Sequence, residues 1–237
     1  MQQNIISVNP AAIPKVILIG EEKTPVVIID NFSLSTDDII TYATTEADFK
    51  DDLNSYYPGI RANLPREYVK AVIDAVFQGI YQCYNIPRQL RLKPQSLFLS
   101  LITREESALS TLQRMPHFDT PKPYYFAIMH YLNPNEHGPT GFFRHKPTQW
   151  ERISEQRCQP YFDAAQKHNE LNGEPKQGYC NQSSHHFDLY QQIEYRPNRL
   201  VIYPGNLLHS SIVNPAKDID NSPDTGRLTA NIFIDFQ

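Results

Sequence analysis

The chain has 237 residues, 40% of them hydrophobic and 20% charged, which is enough for one full core with room for an insertion. Its net charge of −4 comes without any dense Lys/Arg block, so no nucleic acid or other polyanion is the expected partner. No run approaches the ~20 apolar residues of a helical membrane span. The N-terminus lacks a basic leader, and Pro10 and Pro14 interrupt its weakly apolar stretch. Cys83, Cys158 and Cys180 lack paired spacing, so a soluble protein of the reducing cytoplasm is expected.

Taken in order, residues 4–8, 15–19 and 26–29 are short β-like runs divided by prolines and charges. A helix is predicted to start after Ser35, with Asp37 and Asp38 in its first turn. Over 66–83, Val69, Val72, Ile73, Val76, Phe77 and Ile80 recur with a 3.6-residue period, the pattern of a helix laid against a sheet. From residue 95 the periodicity changes to that of strands, at 96–102, 124–133, 140–144, 199–203, 208–213 and 228–236. Between them, 146–195 is polar, helix-like only near 153–171, and reads as an insertion across the mouth of a sheet structure. The expectation is a single domain over 1–237 of α+β, mainly β, class. Supporting strands and helices fill 1–94, and 95–237 form a jelly-roll core.

Chemistry-bearing residues cluster in that second part. On extended chain, i and i+2 share a face, so His117 and Asp119 can present an imidazole and a carboxylate to one point while Phe118 packs the other way. Pro204-Gly205-Asn206 turns the chain between two apolar strands and delivers His209. Two histidines and one carboxylate are the ligand set of a facial triad, and oxygen and nitrogen donors without thiolate suit ferrous iron or manganese. Arg227 and Thr229 share a face at the start of the last strand. A buried arginine there needs an anion, and its planar fork matches a carboxylate. On strand 124–133, Tyr131 shares a face with Tyr125, Ala127 and Met129, whereas His130 points to the other side.

These residues resemble the Fe(II)/2-oxoglutarate-dependent dioxygenases, specifically the prolyl-hydroxylase-like branch. His117-Phe118-Asp119 is similar to the HxD motif, and His130-Tyr131-Leu132-Asn133 with Gly138-Pro139-Thr140-Gly141-Phe142 to that branch's strand and glycine turn. The segment 199–209 resembles the one carrying the distal histidine, Arg227-Leu228-Thr229 the co-substrate anchor, and 26–32 the opening strand. The resemblance implies a double-stranded β-helix (cupin-like), with iron on His117, Asp119 and His209. It implies 2-oxoglutarate and dioxygen as co-substrates, the former held by Arg227 and Thr229 with a hydroxyl from Tyr131. The implied reaction is hydroxylation of a small molecule, an amino-acid derivative or a peptide side chain.

Arg227 follows His209 by eighteen positions, longer than in compact members, so the loop 215–226 must absorb the difference. Arg199 and Arg144 are the fallback anchors. Tyr57 and Arg61, in an aromatic turn over 56–61, and Arg144 at a strand end are candidate substrate contacts. Cys180, His185 and His186 read as surface loop rather than a second metal site. Two other functions use the same fold: a metal-dependent cupin-like isomerase and a non-catalytic jelly-roll binding module. Arg227 with Thr229 argues against the first, which needs no dicarboxylate anchor, and open metal positions argue against the second.

Overall fold

The computed structural model describes residues 5–51 and 56–237, so Asn4 of the first predicted run lies outside the described residues. The elements are β1 (Pro14–Ile19), β2 (Thr24–Ile29), α1 (Asp37–Thr45), β3 (Lys50–Asp51), β4 (Gly59–Asn63), α2 (Arg66–Cys83), β5 (Leu92–Ile102) and β6 (Tyr125–Tyr131). They continue with β7 (Thr140–His145), α3 (Glu155–Asn172), β8 (Phe187–Ile193), β9 (Arg199–Pro204), β10 (His209–Ser211), α4 (Pro215–Asp218) and β11 (Thr229–Phe236). An eight-stranded antiparallel sheet runs β1-β2-β9-β6-β11-β5-β4-β3, and a three-stranded one runs β10-β7-β8. The fold is mainly β, with its two longest helices, α2 and α3, on different parts of the chain.

Alternation along β6 sorts the interior into two layers. Phe126 and Ile128 point to one side, where they meet Val69, Val72, Val76 and Ile80 from the apolar stripe of α2. Ala127, Met129 and Tyr131 point to the other, against Val201 and Tyr203 of β9 and against Phe142 and Ile193 of the smaller sheet. Strand β11 repeats the rule: Ala230, Ile232 and Ile234 join the helix-side core, which turns Thr229 and Asn231 inward. Each fully buried Val or Ile contributes about 1.5–3 kcal/mol, so both layers are anchored by strands that sit mid-sheet.

Several elements differ from the sequence expectation: of the run 5–8 only Val8 forms a bridge, to Ser33, and the expected loop 215–226 opens with the helix α4. Residues 56–61 are not all turn: Gly59–Asn63 is a strand paired with β5. Arg and Asn are weak strand formers, and the pairing is made possible by Gly59, whose Cβ would stand 1.9 Å from the Leu101 carbonyl oxygen. The segment 146–195 contains, beside helix α3, the strand β8, which pairs with β7 at the edge of the smaller sheet. Its polar composition suits an edge strand that is half-buried along most of its length. No helix among the described residues is long and apolar enough to cross a membrane, and the three cysteines are free thiols.

His130 turns toward the helices, as its parity requires. Its Nε2 lies 3.1 Å from Asn198 Oδ1, which also accepts from the Ser33 N–H, while Asn198 Nδ2 donates to the Ser33 carbonyl. Nε2 therefore donates, leaving Nδ1 to accept from the Tyr68 hydroxyl at 2.6 Å. The neutral ring is fully satisfied, and burial pushes its pKa down to about 4. A histidine depressed in the folded state supports the fold above its ordinary pKa, and that support is lost as pH falls from about 6.5 toward 4. Urea unfolding at pH 7 and pH 4.5 is expected to show wild type losing about 2–3 kcal/mol more on acidification than His130→Gln. Parallel losses in the two proteins would acquit His130.

Candidate metal centre

The centre is built from backbone hydrogen bonds first. His117 N donates to His209 O at 2.9 Å, His209 N donates to His117 O at 2.8 Å, and Asp119 N donates to Gly205 O at 2.7 Å. Directly opposed residues of an antiparallel pair project to the same side, so the two imidazoles meet with ring centroids 4.4 Å apart. The i, i+2 rule adds Asp119, and each histidine Nε2 lies 3.9 Å from Asp119 Oδ1. Phe118 points away and packs on Tyr161 and Phe162 of α3. His209 Nδ1 lies 2.8 Å from the Leu207 carbonyl. A carbonyl only accepts, so Nδ1 carries the proton and Nε2 offers its lone pair to the centre.

Burial dominates the titration of the site. Burial, then His209 and Arg61, hold His117 well below its ordinary pKa, and burial raises that of Asp119. Although its ring sits deep among neighbouring atoms, the His117 side chain keeps 57% of its surface open, so the centre is accessible to solvent on that side. Asp119 Oδ2 is buried without a hydrogen-bond partner among the described residues. Two imidazoles, one with Nδ1 already committed to a carbonyl, and a carboxylate oxygen short of partners form a donor set that a divalent ion satisfies. His117, Asp119 and His209 are a group of three potential ligands whose donor atoms all lie within 4.8 Å of one another.

Arg227 is 1% exposed. Its Nε donates to the Gly138 carbonyl at 2.9 Å, its Cζ stands 5.6 and 5.8 Å from the ring centroids of Tyr131 and Tyr195, and Nη2 finds no acceptor among the described residues. Thr229 faces Tyr131 directly across β11 and β6, and the Tyr131 hydroxyl is 2.7 Å from Thr140 Oγ1. Tyr203 ties the two ends together. It packs edge-on to His209 at 4.9 Å. Burial and then Asp119 push its hydroxyl pKa up while Arg227 pulls it down. Tyr203 is therefore near both the triad and the arginine.

Of the candidate substrate contacts, Arg61 lies near the triad and Tyr57 near Arg227. The Arg61 guanidinium lies 4.3 Å from the Tyr57 ring centroid and 5.2 Å from that of Phe98, and its charge acts on both His117 and Asp119. Arg144 is committed elsewhere: its Nε and Nη2 reach Glu151 Oε1 at 3.0 and 2.6 Å, and Nη1 reaches Glu21. Arg199, the other fallback anchor, forks onto Asp30. Both of those arginines are neutralised by carboxylates, whereas Arg227 keeps Nη2 without an acceptor among the described residues.

A family model described as "Family of unknown function (DUF6445)" matches residues 10–234. The chain belongs to that family. No curated protein matches it in sequence. Among solved structures it is similar to HygX from Streptomyces hygroscopicus with nickel and 2-oxoglutarate bound. That match has 11% identity and a TM-score of 0.50, and covers 90% of this chain and 84% of the other. A second HygX structure, which also holds hygromycin B, matches at 11% identity and a TM-score of 0.48, covering 93% and 87%. At such identity the likeness is one of fold: this DUF6445 member shares the fold of a protein crystallised with 2-oxoglutarate and a metal.

Several residues of the site escape a reading of the sequence. Tyr203 shares the inward parity of β9 with Val201, so the alternation could have found it. Tyr195 and Asp218 lie in polar stretches without periodicity and are found only in three dimensions. Asp119→Ala and His209→Ala are each expected to weaken metal binding by at least about a hundredfold, beyond the 10–100-fold typical of outer-shell changes. Arg144→Ala should leave it intact. Metal titration followed by dialysis and elemental analysis checks this, and full metal retention by Asp119→Ala would remove the carboxylate from the set.

Proposed function

We propose that the protein is an Fe(II)- and 2-oxoglutarate-dependent dioxygenase, with a double-stranded β-helix formed as one domain by the two facing sheets. The observation that carries the reading is Arg227: a buried cation with an unpartnered Nη2, near the Tyr203 ring that packs on the His209 of three convergent metal ligands. An isomerase or a binding module gives no reason to bury an unpaired guanidinium, which costs about 1–3 kcal/mol in unmade hydrogen bonding alone. HygX, of like fold, holds nickel and 2-oxoglutarate in its crystal, which agrees with the reading. The prolyl-hydroxylase-like branch rests on the sequence motifs, and the likeness in fold does not separate branches.

In this reading His117, Asp119 and His209 hold the iron and leave open positions for 2-oxoglutarate and dioxygen. The bound iron supplies oxidative decarboxylation of 2-oxoglutarate to succinate and carbon dioxide, coupled to oxidation of a C–H bond. The chain's own residues bind and orient. Because Nε of Arg227 is occupied by Gly138, a distal carboxylate is met by the Nη end, while Thr229 and the Tyr131–Thr140 pair offer hydroxyls beside it. The aromatic rings of Tyr131, Tyr195 and Tyr203 exclude water from that end, strengthening each charged contact.

Arg61, whose charge acts on His117 and Asp119, and Tyr57, whose hydroxyl feels Arg227, are the proposed substrate contacts, with a small molecule, an amino-acid derivative or a peptide side chain as the substrate class. Free thiols agree with a cytoplasmic protein. Adding Fe(II) and 2-oxoglutarate without oxygen should give a visible metal-to-ligand charge-transfer band. Arg227→Ala should lose the band at sub-millimolar 2-oxoglutarate with its metal content unchanged. A wild-type protein that holds iron yet shows no band with 2-oxoglutarate would sink the co-substrate assignment.

A further inference from the structure

The long step from His209 to Arg227 contains a buried carboxylate that the reading above does not use. Asp218, at the end of α4, has no exposed surface. Its Oδ1 accepts from His137 Nδ1 at 2.9 Å and from the Gly138 N–H at 3.1 Å. Its Oδ2 accepts from the Asn214 N–H at 2.6 Å and also lies 3.2 Å from Gly138 N. Burial alone would raise its pKa. Those donors and the nearby charge of Arg227 more than reverse that, keeping it below the ordinary carboxylate range. The group is an anion inside the protein, close enough to Arg227 for their charges to interact.

The same residue it grips, Gly138, is the one whose carbonyl accepts from Arg227 Nε. Gly138 has no room for any other side chain: a Cβ there would stand 1.8 Å from the Ile212 carbonyl oxygen and 2.8 Å from Asp218 Oδ2. The 137–138 backbone is thus clamped between Asp218 and the chain following β10, and it in turn fixes one edge of the guanidinium. A guanidinium pinned through Nε cannot meet a carboxylate side-on through Nε and Nη2, so it offers its Nη end. His137 completes the clamp, its side chain buried against Asp218 and edge-on to Tyr195, whose ring faces the arginine.

We infer that Asp218, acting through Gly138, is a positioning residue for Arg227 that orients its Nη end toward the distal carboxylate of a dicarboxylate co-substrate. The inference rests on the 2-oxoglutarate reading above and adds how the eighteen-residue step presents the anchor. It also separates two ends of one ligand. The metal end depends on the triad, and the Arg227 end depends on Asp218.

The test uses two ligands that share a metal-chelating end and differ at the other. 2-Oxoglutarate carries the distal carboxylate, whereas oxalate chelates metal without reaching Arg227. Both are titrated anaerobically into Fe(II)-loaded wild type, Asp218→Asn and Arg227→Ala by calorimetry, with thermal melts alongside. Asp218→Asn is expected to weaken 2-oxoglutarate by about tenfold or more and oxalate by less than about twofold. A purely structural role would weaken both ligands together, and that outcome, or unchanged 2-oxoglutarate binding in a folded Asp218→Asn protein, overturns the inference. If Arg227→Ala also binds 2-oxoglutarate like wild type, the anchor reading itself fails and takes the inference with it. If Arg227→Ala loses 2-oxoglutarate while Asp218→Asn keeps it, only the positioning role fails.

Discussion

The candidate site depends on the reciprocal backbone bonds between His117 and His209. Those two bonds, with Asp119 N to Gly205 O, join the stretch before β6 to the turn after β9. They are main-chain contacts, so they fix where the side chains begin without drawing on any ligand atom. Two facing imidazoles and a carboxylate two residues along then converge by geometry alone. The Leu207 carbonyl settles which nitrogen of His209 faces inward. Phe118, between the two ligands, spends the opposite face of the same strand on α3. Metal-binding geometry and core packing are thereby carried by alternate residues of one short segment.

The same alternation governs the rest of the molecule. In β6 it sends Ile128 to the helices and Tyr131 to the interior, and in β11 it sends Ile232 outward and Thr229 inward. A one-residue slip of either strand would bury Thr229 and Tyr131 beneath α2 and bring isoleucines into the site. The apolar layer under α2 is therefore what holds the polar inner layer in register. Stability and site are two faces of the same strands, and His130, neutral between Tyr68 and Asn198, belongs wholly to the first.

The legible parts of the sequence are those with periodicity. Helix α2, the parity of β6 and the i, i+2 pair His117/Asp119 all follow from spacing, and the structure brings the pair together with His209 as spacing suggested. Strand β4 was hidden because Gly-Ile-Arg-Ala-Asn has little intrinsic strand preference and forms by pairing with β5. Strand β8 was hidden in a polar segment for a similar reason. Arg144 could not be distinguished from Arg227 by residue type. What separates them is Glu151, seven residues on, and Glu21, 123 residues away in sequence, which neutralise the former. Ion pairing between distant segments leaves no periodic trace.

Charge balance explains why Arg227 can stay buried without a direct salt-bridge partner among the described residues. An isolated buried cation is costly, and a buried pair broken by removing one partner loses about 3–5 kcal/mol. Here the countercharge, Asp218, sits one residue removed, coupled through Gly138 rather than through direct contact. A direct Asp–Arg fork would have filled the Nη donors and closed the guanidinium to any ligand. Placing the carboxylate behind the Gly138 backbone moderates the buried charge while leaving Nη2 open. The loop between His209 and Arg227 therefore does more than span a distance: it carries a buried carboxylate whose charge reaches the arginine.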